Sequence, residues 1–153
     1  MRINKATIND IDLLIKLRLD FLKEENPGIT KEQEVAIIAQ LEDYLIKHID
    51  MGSFIGLIGS MNSEIVSTVF LVIHEMPANP SNLNGKTGTI LNVYTYPIYR
   101  KKGYAHELMR IIIEQAKEEG LSSLNLSATA MGKSLYENLG FDDIPYSAMR
   151  LNL

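Results

Sequence analysis

The 153-residue chain has no cysteine. Disulfides, thiolate metal sites and a cysteine nucleophile are therefore excluded, and the redox compartment stays open. There is no excess of positive charge either. Fifteen Lys and Arg stand against 19 Asp and Glu, for a net charge of −4. A nucleic-acid binder is expected to carry a basic face, so nucleic acid is not an expected partner. Long apolar runs are also missing. The stretch 11–22 is interrupted by Asp12, Lys16, Arg18 and Asp20, which excludes a signal core or a membrane span there. No membrane partner and a cytoplasmic location are expected. What remains is the balance of an ordinary globule, 46% hydrophobic and 22% charged. A chain of this length buries roughly 70% of its unfolded surface. One domain over residues 1–153 is expected.

The first residues alternate weakly and suggest a short strand. Thr7 with Asp10, and Thr30 with Gln33, are two capping boxes, each predicting a helix start. The first helix carries Leu14, Leu17 and Phe21 at helical spacing and stops at Asn26-Pro27-Gly28. The second carries Ile37, Ile38, Leu41 and Leu45 and fades near 48–50. Residues 54–58 and 65–74, on either side of Met61-Asn62-Ser63-Glu64, read as a β-hairpin. Residues 76–88 read as a long loop of the kind that borders a site. Another strand is predicted over 89–96, and a strong helix over 103–119 ends at Gly120. A strand over 121–126, a helix over 131–139 and one or two strands within 142–151 complete the chain. Met109 and Met131 read as core filler. The fold class is α/β (α+β). It has a mixed, mostly antiparallel central sheet of roughly six to seven strands, flanked by about four helices.

The informative segment is the strand, basic loop and helix through Arg100-Lys101-Lys102-Gly103-Tyr104-Ala105. The first turn of a helix presents unpaired N–H groups and the positive end of its dipole. Gly103 and Ala105 leave those amides unshielded, and Arg100, Lys101 and Lys102 add cations around them. This is an anion site suited to phosphate, and Arg100 could grip a phosphate with paired donors. The alternative is a solvated basic loop. A dinucleotide fingerprint needs three glycines, and Gly132-Lys133-Ser134 lacks the first glycine of a P-loop. His48, His74 and His106 do not form a metal cluster. His106-Glu107 begins like a zinc-protease motif, but Arg110 stands at the second histidine position. No metal is expected.

Arg100-Lys101-Lys102-Gly103-Tyr104-Ala105 resembles the R/Q-x-x-G-x-G/A signature of the GNAT superfamily of acyl-CoA-dependent N-acetyltransferases. Leu135-Tyr136-Glu137-Asn138-Leu139-Gly140-Phe141 resembles the family's L-Y-E-x-L-G-F segment, and the element order is similar over most of the chain. The resemblance implies acetyl-CoA as cosubstrate, with its diphosphate on the amides of Lys102, Gly103, Tyr104 and Ala105. It implies that the pantetheine arm pairs like an extra strand with Val93, Tyr94 and Thr95. It also places Thr129 and Ser134 beside the cofactor. Many relatives carry an asparagine where this chain has Thr129, and an alanine where it has Gly132.

Acyl transfer to an amine requires loss of a proton from an ammonium of pKa near ~10. It also requires a donor for the developing oxyanion and a proton for the leaving thiolate. The resemblance implies an oxyanion donor near Val93 and Tyr136 as general acid. The base stays open among His74, Glu75, Glu24, Glu25 and water. Asn92 and Tyr94 share a strand face and either line an acceptor tunnel or are buried and bonded. The acceptor is a small-molecule or peptide amine. Its wall is expected from the region 21–44 and the 76–88 loop. Alternatives are a non-catalytic acyl-CoA-binding sensor and an interaction domain that binds a phosphorylated partner. A homodimer through an exposed strand edge is a further alternative.

Overall fold

A computed structural model describes residues 1–144 and 148–152. Its sheet has five strands in the order β1 (Arg2–Lys5), β2 (Phe54–Met61), β3 (Glu64–Glu75), β4 (Lys86–Thr95) and β5 (Ser123–Asn125). Neighbours are antiparallel except β4 and β5, which run parallel. The helices are α1 (Ile11–Glu25), α2 (Lys31–Asp50), α3 (Tyr104–Glu118) and α4 (Lys133–Asn138).

Both capping boxes form. Thr7 and Asp10 close a single 3-10 turn that leads into α1, and Thr30 and Gln33 open α2. The hairpin between β2 and β3 turns on Asn62 and Ser63, at φ 48° and 68°. Two consecutive left-handed residues give the turn whose twist matches the strands it joins.

Two apolar layers cover the sheet. On one face Leu14 and Leu17 of α1 and Leu45 of α2 pack on Phe54 and Phe70. On the other, Leu108, Met109 and Ile112 of α3 pack on Leu57, Val69 and Leu71. Each fully buried aliphatic side chain contributes roughly 1.5–3 kcal/mol, so these two seams fix the height of α1 and α3 over β4.

Several sequence expectations are corrected. Among the described residues the sheet has five strands rather than six or seven, and residues 142–144 and 148–151 are not strand. Pro145, Tyr146 and Ser147 lie outside the described residues. β4 begins at Lys86, so the loop before it is shorter than expected. Gly88 lies inside the strand, where a Cβ would come within 2.7 Å of both Leu71 and Leu124. The loop does not border the site. Asn84 donates to the Gly120 carbonyl at 2.7 Å and Ser122 donates to Asn82 at 2.6 Å, which ties the loop to the α3–β5 corner. Met109 is core, but Met131 is 77% exposed.

Candidate active site

β4 and β5 pair only from Thr87 to Thr89. Beyond that point they part. Val69 faces both Asn92 and Val93, because Thr68 pairs with Tyr94 while Phe70 pairs with Leu91. The extra residue is Asn92, at φ 55°. Such a bulge bends its strand. From Leu91 to Thr95 the β5-side edge of β4 therefore has no strand partner among the described residues.

Asn92 is 1% exposed. Its amide oxygen accepts from Arg18 at 3.3 Å and its nitrogen reaches the Leu17 carbonyl at 3.5 Å. Asparagine tolerates the left-handed conformation better than most residues. Asn92→Ala is expected to cost about 1–3 kcal/mol through lost hydrogen bonds and backbone strain. A denaturation midpoint equal to that of the wild type would contradict this account.

The strand ends in a short loop whose φ signs alternate, positive at Lys101 (60°) and Gly103 (82°). Alternation of this kind turns successive amides toward one concavity, a nest for anions. The α3 dipole points its positive end there. Glu107 donates to the Gly103 carbonyl to begin the helix. Among the described residues, no carbonyl or side chain accepts from the amides of Lys102, Gly103, Tyr104 or Ala105. A Cβ built on Gly103 would meet nothing within 4 Å, so the space over these amides is open.

The cationic side chains are less available than the sequence suggests. Arg100 does not turn into the cradle. Its Nε donates to the Thr95 carbonyl at 2.9 Å, and Nη2 pairs with Glu24 at 2.5 Å. It ties the loop to β4 and to α1 and leaves the amides uncovered. Lys102 leans over the Tyr99 ring, 5.4 Å from its centroid. The Tyr104 hydroxyl turns to Met61.

Asn92 and Tyr94 both turn toward α1. The Tyr94 hydroxyl donates to Glu24 at 3.2 Å, and burial followed by that carboxylate pushes its pKa up to about 12. Glu24 is thus engaged by Tyr94 and Arg100. Next to them, Tyr96 donates to Asp20 at 2.5 Å, and Lys16 pairs with the same carboxylate at 2.6 Å.

Tyr136 lies on α4 across the gap. Its ring packs edge-on to Phe141, with centroids 6.1 Å apart. Gly132 makes room for it: a Cβ there would come within 3.2 Å of the ring. Among the described residues the hydroxyl makes no hydrogen bond. Burial first, and then the Glu25 carboxylate, raise the phenol's pKa. Glu25 is the last residue of α1, which packs on the opposite sheet face.

Thr129 accepts from the Gly132 amide through its hydroxyl at 3.2 Å, which ties down the entry to α4. Ser134 is exposed in the first turn of that helix. His74 and Glu75 are far away. His74 pairs with Thr87 and its imidazole bonds Thr89 at 3.0 Å, and Val93 lies four residues beyond Thr89 along β4, roughly 13 Å. Neither His74 nor Glu75 reaches the parted strands. The sequence did not reveal the bulge or the role of Arg100. The one local signal for the bulge was an asparagine in the middle of a strand of β-branched residues.

Among the described residues there is no group of His, Asp and Glu placed to hold a metal ion, and no helix is long and apolar enough to cross a membrane. Solved structures share this architecture. A predicted acetyltransferase of Clostridium acetobutylicum, solved with acetyl-CoA, is 28% identical with a TM-score of 0.88, over 99% of this chain and 95% of that one. A GCN5-related N-acetyltransferase of Ralstonia eutropha JMP134 is 26% identical with a TM-score of 0.83, over 98% and 97%. An uncharacterized N-acetyltransferase of Escherichia coli (strain K12), YjgM, is 41% identical over 58 residues. That match spans 36% of this chain and 35% of the relative. The sequence pattern of the acetyltransferase (GNAT) family matches residues 17–141, which include the bulged β4, the amide nest and Tyr136. With this match over most of its length, and with the parted strands and the open helix head inside it, the chain belongs to the GNAT family of acetyltransferases.

Proposed function

We propose that residues 1–153 form one cytoplasmic N-acetyltransferase domain. It moves the acetyl group of acetyl-CoA to a primary amine of a small molecule or peptide by direct attack. One observation carries this reading: among the described residues, the amides of Lys102 to Ala105 have no acceptor and the β5-side edge of β4 from Leu91 to Thr95 has no strand partner, and a single 3-10 turn, Pro97–Tyr99, joins the two. A diphosphate attached to an extended amide-bearing arm is complementary to that arrangement. The solved Clostridium acetobutylicum relative with acetyl-CoA supports the same ligand.

Acetyl-CoA supplies the thioester acyl group and a thiol that leaves. The amides of Lys102, Gly103, Tyr104 and Ala105 hold the diphosphate. Val93, Tyr94 and Thr95 align the arm along β4. A strand N–H near Val93 donates to the carbonyl oxygen as charge develops there. Tyr136 is protonated at neutral pH and its hydroxyl has no hydrogen-bond partner among the described residues, so it can give a proton to the departing sulfur. Glu24 is occupied by two partners, which leaves Glu25 and solvent to take the ammonium proton.

Calorimetric titration with acetyl-CoA and CoA, followed by thiol release against a panel of amines, tests the reading. Binding of both nucleotides and release above background hydrolysis with at least one primary amine are expected. Binding without release would identify a sensor. Absence of binding would remove the reading altogether.

A further inference from the structure

α1 carries three cations that face other elements, and two have carboxylates: Lys16 pairs with Asp20, and Lys23 with Glu34. The third, Arg18, is half-buried and has none among the described residues. Among the described residues its guanidinium has one hydrogen bond, to the neutral amide oxygen of Asn92 at 3.3 Å, and it lies 5.5 Å from the Phe21 ring centroid. Burial lowers its pKa from the usual guanidinium value. A desolvated cation is costly unless an anion meets it, and a planar fork with free donors matches a carboxylate.

Arg18 also lines a cavity of about 240 Å³. Its other walls are mainly apolar, with Leu41, Tyr44, Phe54, Phe70 and Leu91 among them. Among the described residues no carboxylate lines it, so a polyamine would find no counter-charge there. Leu91 and the Arg18-bound Asn92 place this cavity beside the bulge, further back along β4 from the amide nest than Thr95. An acyl group carried along the β4 edge from the nest would reach the bulge from one side. An amine seated in the cavity would reach it from the other.

We propose that the acceptor is an amine that also bears a carboxylate on an apolar frame, of the amino-acid class. Arg18 grips the carboxylate and the cavity takes the apolar part. This rests on the acetyltransferase reading above and specifies its substrate.

The test uses leucine, methionine and phenylalanine beside their carboxamides and their decarboxylated amines. Binding is titrated with and without CoA, and turnover is measured with acetyl-CoA. The free acids should be preferred roughly 10- to 100-fold in KM or Kd, the range of a charge-assisted hydrogen bond. Arg18→Gln should raise KM for the acids by the same factor and abolish the preference, while acetyl-CoA affinity is unchanged. Arg18→Lys, which keeps the charge without the fork, should fall between them. Equal or better use of the amides or amines, absence of binding by any acid, or unchanged discrimination in both variants would overturn the proposal. The two readings fail separately. A chain that binds acetyl-CoA and acetylates amines without regard to a carboxylate loses only the Arg18 assignment. A chain that ignores acetyl-CoA loses the acetyltransferase reading, and acid binding without CoA still decides the role of Arg18.

Discussion

Gly103→Asp is expected to weaken CoA binding roughly 100-fold, as measured by calorimetry. Two effects combine. An aspartate at φ 82° carries a Cβ in the left-handed region, which costs about 1–2 kcal/mol of folding stability. Its carboxylate would also stand over the amides of Lys102 to Ala105, where the diphosphate is proposed to sit. Two like charges about 4 Å apart repel by about 4 kcal/mol near a protein surface, and exposure to solvent and salt reduces that figure. Gly103→Ala separates the effects. A methyl group at this position would have open space within 4 Å, so alanine suffers backbone strain without a steric clash. Both variants should lose similar thermal stability, but only the aspartate should lose most of its affinity. Wild-type affinity in Gly103→Asp would show that no anion occupies the nest.

Tyr136→Phe is expected to lower kcat about 100-fold, toward the low end of what a positioned acid supplies. Acetyl-CoA affinity should stay within about threefold, because the ring packing on Phe141 is kept and the hydroxyl bonds nothing in the protein among the described residues. The pH dependence has a defined sign. A phenol acts as an acid only while protonated, and burial with the nearby Glu25 raises its pKa above the ordinary value near 10. Wild-type kcat should therefore hold up to about pH 10 and fall above it, and the variant should lose that alkaline limb. Equal kcat in the two proteins at every pH, with acyl transfer rate-limiting, would exclude the acid role.

Much of the scaffold was legible because local rules and tertiary packing agree. Thr7 with Asp10 and Thr30 with Gln33 cap their helices whatever lies nearby. The Asn62-Ser63 turn and the apolar stripe of α3 are equally local. The open helix head was legible for the same reason: the first amides of α3 after a basic loop belong to one continuous segment.

Partners distant in sequence were not legible. Arg100 reads as a phosphate ligand until Glu24, 76 residues away, claims its guanidinium. His74 has the right chemistry for a base, but strand register places it at the far end of β4. The 76–88 loop looked like an acceptor wall until Asn84 tied it to Gly120, 36 residues away. Residue types and short-range spacing determined the caps, the order of elements from β1 to α4 and the open helix head, because hydrogen bonds within a few residues need no other segment. Tertiary structure alone decided that Asn92 bulges, that β4 parts from β5, and that Arg18 faces a cavity lined by no carboxylate among the described residues. Those outcomes depend on which side chains packing brings together across the sheet, and no local pattern encodes that distance.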